Sequence, residues 1–216
     1  MAIQAVIFDM DGLLIDSENF WQDAEYEIFS ALGVPLRKED TAITLGWRCD
    51  TVVHYWFERS PWQGPSKAEV AEHIIEQVIG KIVAHGELMP GARSALHACA
   101  TRKLPTGLAT SSNHRMMLAV LQHFGLEDFF QARCSAEFLP FAKPHPQVYL
   151  NAAAVLGVDP QYCLALEDSV TGVIAAKAAR MRCYAVPDAA HRSDRRYGIA
   201  DRVLTSLTEL TEEDLR

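Results

Sequence analysis

Short apolar runs alternate with longer helical patterns over most of the chain. The first run, Ala5 to Phe8, is continuously apolar and ends at a polar turn, which is typical of a strand buried on both faces of a parallel sheet. Further strands are predicted at Leu108 to Ala109, Cys163 to Leu166, Cys183 to Val186 and Val203 to Leu204, with a weaker pattern at Ala132 to Ser135. Helices are predicted between them, over Ala92 to Thr101, His114 to Phe124, Pro146 to Leu156 and Val173 to Arg180. This alternation predicts an α/β fold with a doubly wound parallel sheet.

Residues 16–87 break the alternation, because they contain three helical patterns and no convincing strand. The helices are predicted over Phe20 to Leu32, Asp50 to Arg59 and Lys67 to Val83. We therefore predict a core formed by residues 1–15 and 88–216 and a small helical cap, residues 16–87, inserted after the first strand. Ligands of doubly wound sheets bind at the carboxyl ends of the strands, so an insert that leaves from this edge is a candidate lid.

The charge balance narrows the range of partners. The 216 residues include 20 lysines and arginines and 28 aspartates and glutamates, which gives a formal net charge of −8. This charge disfavours nucleic acid and anionic membrane surfaces as partners. A phosphorylated small molecule would need a local cation or a metal ion to bind.

Five dispersed cysteines form no CxxC pair, which indicates reduced thiols rather than a disulfide framework. The N-terminal apolar run ends at Phe8, too early for a signal peptide, and no later window approaches a membrane span. The sequence therefore predicts a cytoplasmic protein.

Two carboxylates follow the first predicted strand directly, in Asp9-Met10-Asp11-Gly12. One carboxylate of such a pair can attack phosphorus as a covalent nucleophile while its neighbour passes a proton to the leaving oxygen. The alternative is a polar turn that merely ends a strand.

A second acidic pair, Glu167-Asp168, follows the strand predicted at Cys163 to Leu166. Carboxylates that converge from two strand ends repel each other unless a cation lies between them. Oxygens of Asp9 and Asp168 and a backbone carbonyl, completed by water and substrate, would suit octahedral Mg²⁺. The alternative is a helix N-cap, which Asp168 or Ser169 could form.

Two further groups could bind an anion. Lys143 lies in a loop stiffened by Pro140, Pro144 and Pro146, where it could pair with Asp9 and hold a phosphoryl oxygen. Taken alone, it would be a surface lysine. Residues 110–113 (TSSN) close another strand and begin a helix, so their hydroxyls and free backbone N–H groups could bind phosphate or simply cap the helix.

Together these motifs form an ordered series: the Asp9 and Asp11 pair, Thr110, Lys143 and the acidic pair that ends at Asp168. With these motifs in this order, the sequence resembles the haloacid dehalogenase superfamily over nearly its whole length. The insert resembles the cap of the subgroup that contains β-phosphoglucomutase-like enzymes and small sugar phosphatases. Shorter stretches, among them TLGWR ending at Arg48, resemble the bacterial hexitol phosphatases.

The resemblance implies a Mg²⁺-dependent phosphatase of small sugar or sugar-alcohol phosphates, such as 2-deoxyglucose 6-phosphate and hexitol phosphates. It implies that Asp9 is the nucleophile and that Asp11 is first the general acid and then the base that activates water. Thr110 and the backbone N–H of Ser111 would bind the phosphoryl group, and Lys143 would neutralise its oxygens.

For the metal, the resemblance implies that Mg²⁺ is held by the side chains of Asp9 and Asp168 and the carbonyl of Asp11. Glu167 would act on these metal ligands through a water molecule.

Three other functions are less favoured. A dehalogenase would not need the carboxylate of Asp11, since a departing halide takes no proton. A mutase of the β-phosphoglucomutase type has a histidine where this chain has Trp21. A phosphate-accepting sensor module needs a long-lived phosphate on Asp9, and Asp11 would shorten that lifetime.

In the cap, the Trp47 ring could stack on a polyol and the Arg48 guanidinium could hydrogen-bond it. The alternative is that Trp47 packs against the protein and Arg48 is a solvated cation. Trp21, Trp56 and Trp62 are predicted to pack without contacting a ligand. The predicted partner is a small phosphorylated sugar or polyol, and the protein is predicted to be a monomer or a weak homodimer.

Overall fold

The structure is a computed structural model that describes residues 2–216. Its strands are β1 (Ala5–Phe8), β2 (Thr106–Thr110), β3 (Ala132–Ser135), β4 (Cys163–Glu167), β5 (Arg182–Ala185) and β6 (Arg202–Val203). They form one parallel sheet in the order β3-β2-β1-β4-β5-β6. This topology confirms the predicted doubly wound fold. The strand order reverses between β1 and β4, which is where such sheets bind their ligands.

In the described part of the chain, seven α-helices accompany the sheet. They are α1 (Glu18–Ala31), α2 (Cys49–Arg59), α3 (Lys67–His85), α4 (Ala92–Thr101), α5 (His114–Phe124), α6 (Gln147–Leu156) and α7 (Val170–Ala178). The last helix begins three residues earlier than its periodicity predicts, because the Ser169 hydroxyl accepts a hydrogen bond from the Gly172 N–H and caps it. A 3₁₀ helix over Lys38–Thr44 has no counterpart in the sequence pattern.

Strand β1 is buried on both faces, as its continuous apolar pattern predicts. Val6 and Phe8 belong to the hydrophobic cluster that includes the buried faces of α4 and α5. Ala5 and Ile7 belong to a second cluster, with α6 and α7. The sheet is therefore covered by helices on both sides, and its polar chemistry is confined to the strand ends.

Residues 18–85 contain α1, α2 and α3, which pack on one another, and within this described stretch there is no strand. The chain crosses between this segment and the sheet at two adjacent points. The Asp16 N–H donates to the Glu87 carbonyl (3.0 Å), and the Met89 N–H donates to the Leu14 carbonyl (2.9 Å). We keep the name cap for residues 16–87. Within residues 2–216, no helix is long and apolar enough to cross a membrane.

Candidate active site

The register of the two central strands brings the acidic motifs together. Phe8 of β1 pairs with Leu166 of β4, and the Asp9 N–H donates to the Leu166 carbonyl at 3.0 Å. Asp9 therefore lies beside Glu167 and Asp168 at the carboxyl end of the sheet. Asp9 is 6% exposed and Glu167 is fully buried, so their carboxylates meet in a region of low dielectric.

Lys143 is buried between these carboxylates, which excludes the surface-lysine alternative. Its Nζ lies 2.6 Å from Asp9 Oδ1 and 2.5 Å from Glu167 Oε1. Burial alone would lower the pKa of Lys143, but the charges of Asp9 and Glu167 outweigh it and raise the pKa above its usual value. The side chain is therefore a fixed ammonium group beside Asp9.

Glu167 makes direct contacts with protein donors, and its action on the metal ligands through water stays a prediction. Its Oε1 accepts hydrogen bonds from Lys143 and from the Tyr149 hydroxyl (2.5 Å), and its Oε2 accepts from the Ser169 hydroxyl (3.2 Å). A Cβ at Gly172 would overlap this carboxylate. Glu167 thus orients Lys143 from behind, with no room for a water molecule between them.

Asp11 is held by three donors from two parts of the chain. Its Oδ1 accepts from the Ser17 hydroxyl (2.7 Å) and the Trp21 indole N–H (3.0 Å), at the start of α1. Its Oδ2 accepts from the Ser112 hydroxyl (2.6 Å), in the loop after β2. The interpretation of Trp21 as packing alone is therefore wrong. These contacts fix the Asp11 carboxylate at the border between the cap and the sheet.

Thr110 and Ser111 lie at the end of β2, on the same edge of the sheet. Thr110 is 1% exposed, and its hydroxyl oxygen accepts a hydrogen bond from the Ser112 N–H (3.0 Å). The Ser111 hydroxyl is buried and has no partner within the described residues 2–216. Since buried hydroxyls are normally hydrogen-bonded, this group is suited to a bound anion.

A group of three carboxylates could hold a metal ion. One oxygen from each of Asp9, Glu167 and Asp168 lies within 4.8 Å of the other two. The oxygens of Glu167 already have protein donors, whereas Asp168 Oδ1 is buried without a partner among residues 2–216. Gly12 has a φ of 74° and passes so close that a Cβ there would overlap Asp168. Asp9 and Asp168 therefore fit a hard cation better than Glu167 does.

The raised pKa values of Asp9 and Asp168 support a cation-binding site beside them. Burial raises the pKa of Asp9 to about 7, even though the Lys143 ammonium acts to lower it. Burial, together with the charges of Asp9 and Glu167, raises the pKa of Asp168 well above its usual range. Both shifts reflect carboxylates that lack sufficient positive charge, which a divalent cation would supply.

A cavity that is partly open to solvent lies between the strand ends and the cap. The floor of this cavity is formed by Asp9, Asp11, Lys143 and Asp168. From the cap, α1 contributes the side chains at positions 18, 21, 22 and 25, and the loop before α2 contributes Trp47. A concave site lined by a few converging polar groups suits a small molecule.

The comparison with protein families agrees with this geometry. The model of the haloacid dehalogenase-like hydrolases matches residues 3–180. The chain belongs to this family. The family match spans the cap and all the strands from β1 to β4.

Full-length relatives of this haloacid dehalogenase-like hydrolase are known. The chain is 51% identical over 214 residues to hexitol phosphatase B of Escherichia coli (strain K12), covering 99% of this chain and 96% of that protein. It is 31% identical over 206 residues to protein CbbY of Rhodobacter capsulatus, covering 90% and 89%. The crystal structure of CbbY from Rhodobacter sphaeroides in complex with phosphate covers 96% of both chains with a TM-score of 0.83 and 29% identity.

In this hydrolase Arg48 has partners different from those expected. Its guanidinium donates to both carboxylate oxygens of Asp50 (2.7 and 2.8 Å) and to the carbonyls of Ala136 and Leu139 (2.8 Å each). Arg48 borders a neighbouring cavity rather than the one above Asp9. In this conformation it joins the cap to the core, and its assignment to substrate binding stays a prediction.

Trp47 lines both cavities and is 36% exposed, with its ring edge to face with Tyr55 at 5.5 Å. Its assignment to substrate binding stays a prediction. The sequence analysis assigns no role to Ser17 or Tyr149, predicts packing for Trp21, and leaves Ser112 open between phosphate binding and helix capping. A signal for Ser17 and Trp21 existed, since both fall in or next to the first turn of a helix that begins near the Asp11 turn.

Proposed function

We propose that the protein is a Mg²⁺-dependent phosphatase of small sugar or sugar-alcohol phosphates that forms a covalent aspartyl-phosphate, an acyl phosphate, on Asp9. The observation that carries this proposal is the buried contact between Asp9 and Lys143, with Asp11 held beside it over the same cavity. The nucleophile, the proton donor and the cation needed for phosphoryl transfer are thus present together.

In the first half-reaction a carboxylate oxygen of Asp9 attacks the phosphorus atom. A bond from phosphorus to Asp9 forms as the ester bond breaks, and the electron pair leaves with the alkoxide oxygen. Asp11 gives its proton to that oxygen. Lys143 neutralises negative charge on the phosphoryl oxygens, and Thr110 and the Ser111 N–H bind them.

In the second half-reaction Asp11 acts as a carboxylate. It takes a proton from a water molecule whose oxygen attacks phosphorus, and the bond to Asp9 breaks to release phosphate. Asp11 accepts hydrogen bonds from Ser17, Trp21 and Ser112. Three donors suit the carboxylate form of Asp11 that this step uses.

Asp9 and Asp168, with the backbone carbonyl of Asp11, would hold Mg²⁺. When bound, the ion supplies the positive charge that lets an anionic substrate approach these carboxylates. The partnerless Asp168 oxygen supports this assignment.

The substrate class is supported by the relatives. A full-length protein that is 51% identical is a hexitol phosphatase, and CbbY of Rhodobacter sphaeroides, 29% identical, has been solved with xylulose 1,5-bisphosphate. We place the reaction in the cytoplasm and expect a monomer or a weak homodimer, which sedimentation at several concentrations would test.

The test is phosphate release from sorbitol 6-phosphate, mannitol 1-phosphate, 2-deoxyglucose 6-phosphate, β-glucose 1-phosphate and phosphoglycolate, with and without Mg²⁺. We expect rapid release from the sugar and polyol phosphates and loss of activity in EDTA that Mg²⁺ restores. Conversion of β-glucose 1-phosphate to glucose 6-phosphate without phosphate release would contradict the proposal and identify a mutase.

A further inference from the structure

Glu25 is a polar group of the cap that the proposed chemistry leaves unused. Positions 18, 21, 22 and 25 share one face of α1, and all of them line the cavity. Ser17 and Trp21 reach Asp11 from the start of this helix. Four residues of an α-helix rise by about 6 Å, so Glu25 lies about one helical turn farther along the cavity wall.

The Glu25 carboxyl is buried and forms no ion pair within residues 2–216. The residue is 7% exposed, and burial raises its pKa to about 8, opposed only by a hydrogen bond from Thr44. The Thr44 hydroxyl also lies 3.1 Å from the Thr41 carbonyl. A hydroxyl has one proton and can serve only one of these acceptors at a time. The carboxyl therefore keeps unused hydrogen-bonding capacity next to the cavity.

Stability of the cap does not explain this residue. The other side chains that α1 buries are apolar, Ala24 and Phe29. A carboxyl buried without an ionic partner is less favourable than an apolar side chain of the same size. Its position on the cavity wall is suited instead to contact with a bound substrate.

We infer that Glu25 determines specificity by hydrogen-bonding a hydroxyl group of the substrate several carbons away from the phosphoryl group. The inference rests on the proposed phosphatase function and assigns the polyhydroxy part of the substrate to the α1 face of the cap. A carboxyl and a hydroxyl can exchange hydrogen bonds. A plain alkyl chain would leave the carboxyl unpaired, so the site discriminates against it.

A matched pair of substrates tests this, sorbitol 6-phosphate and n-hexyl phosphate, which have the same chain length and differ in hydroxyl groups. We expect the wild type to prefer sorbitol 6-phosphate in kcat/KM. In Glu25→Met this preference should fall at least tenfold, mainly through a higher KM for sorbitol 6-phosphate, with less than a threefold change for hexyl phosphate. Glu25→Gln keeps a hydrogen-bonding group of the same length and should retain the preference within threefold.

Two controls separate recognition from damage to the fold. Glu27→Gln alters the same helix at a residue that contacts Gln77 and Lys81 of α3, and it should leave the preference unchanged. Inhibition by inorganic phosphate should be equal in Glu25→Met and the wild type, because phosphate binds at the strand ends.

Three results would overturn the inference: no preference in the wild type, an unchanged preference in Glu25→Met, or equal losses on both substrates. Should Glu25→Met fail to fold, Glu25→Asp decides, since it withdraws the carboxyl by one methylene. An unchanged preference in Glu25→Asp would then overturn the inference, and a fall of threefold or more would support it. Failure of the wild type to hydrolyse any sugar phosphate would instead refute the phosphatase function itself.

Discussion

Asp9 and Asp11 are two residues apart but have opposite surroundings. Asp9 contacts a buried ammonium, whereas Asp11 accepts from two hydroxyls and an indole N–H. A carboxylate beside a fixed cation can approach an anionic phosphoryl group, and one held by neutral donors at the cavity edge can exchange protons. The different surroundings of the two carboxylates support the two different roles proposed for them.

These roles predict different defects for the two amide variants. Asp9→Asn should show no phosphoenzyme and no turnover, because an amide is a poor nucleophile. Asp11→Asn should still accept phosphate from an activated substrate but should hydrolyse the phosphoenzyme slowly. Rapid-quench measurement of protein-bound phosphate distinguishes the two. Near-wild-type turnover in Asp9→Asn would contradict the assignment.

Lys143 should be essential through its charge. Removing a preorganised charge from a developing anion typically costs 10²- to 10³-fold in rate, and we expect at least that loss in kcat for Lys143→Ala. Lys177→Ala is the matched control, because Lys177 pairs with Asp201 on the surface and should have no effect on rate. A loss of tenfold or less in Lys143→Ala would indicate a structural role.

Glu25 should make the stability of the protein depend on pH. Its pKa is about 8 in the folded protein and 4.5 ordinarily, so the folded state holds this proton more tightly. The stability it contributes is present at low pH and is lost as pH rises from about 4.5 through 8, with a slope of about 1.4 kcal/mol per pH unit. The free energy of unfolding of Glu25→Gln, relative to wild type, should therefore increase by roughly 2 to 3 kcal/mol between pH 5.5 and 7.5. Urea denaturation at both pH values measures this, and a constant difference would show that Glu25 is not buried as an acid.

At the level of elements, Arg48 at the start of α2 joins the cap to the loop after β3. It donates to two main-chain carbonyls of the core, and hydrogen bonds to a charged group are worth about 1.5 to 3 kcal/mol. Arg115 of α5 also reaches the cap, through Glu72 of α3, but this ion pair is exposed and should contribute less than about 1 kcal/mol. The closed arrangement therefore depends more on Arg48 than on Arg115.

Arg48→Ala should accordingly weaken closure of the cap over every substrate. We expect kcat/KM to fall at least tenfold for both sorbitol 6-phosphate and n-hexyl phosphate, and to change less than about fivefold in Arg115→Ala, in line with those bond energies. Steady-state kinetics on the two substrates provides the measurement. A loss confined to sorbitol 6-phosphate would show instead that Arg48 binds the polyol.

The elements also show what the sequence could predict. Strand β1 and the motifs at Asp9, Thr110 and Asp168 follow from the chain alone, because an apolar run and the polar residue that ends it are adjacent in sequence. The contacts of Arg48 do not, since its acceptors are 88 and 91 residues away and exist only when the cap packs on the core. Trp21 was missed for the same reason, as its spacing in α1 is equally compatible with packing.

For the whole molecule, the excess of negative charge makes the binding of a divalent cation favourable. The net charge is −8. Three of the carboxylates, those of Asp9, Glu167 and Asp168, lie together at the strand ends near Lys143. A ligand that binds only the folded state stabilises it by about 2.7 kcal/mol at a concentration of 100 times its Kd. We therefore expect Mg²⁺ to raise Tm by roughly 5 to 10 °C, given about 2 to 4 °C per kcal/mol for a chain of this size.

Thermal unfolding in EDTA and in saturating MgCl₂ measures this shift, with NaCl of equal ionic strength as the control. Asp168→Asn should lose most of the shift, because an amide oxygen carries no charge. It should unfold no earlier than the wild type in EDTA, since the substitution removes one of the repelling carboxylates. An undiminished shift in Asp168→Asn would place the ion elsewhere.

The adjacent crossings at Asp16 with Glu87 and Leu14 with Met89 bear on how such proteins can be recombined. The insert leaves and rejoins the core at neighbouring points, so a linker of a few residues could join these points in its absence. The loss of chain entropy on closing such a short loop is small. The helices could therefore be exchanged as one unit without altering β1 or Asp9. Grafting residues 16–87 onto the core of a related hydrolase should transfer the choice of leaving group together with the Ser17 and Trp21 contacts to Asp11.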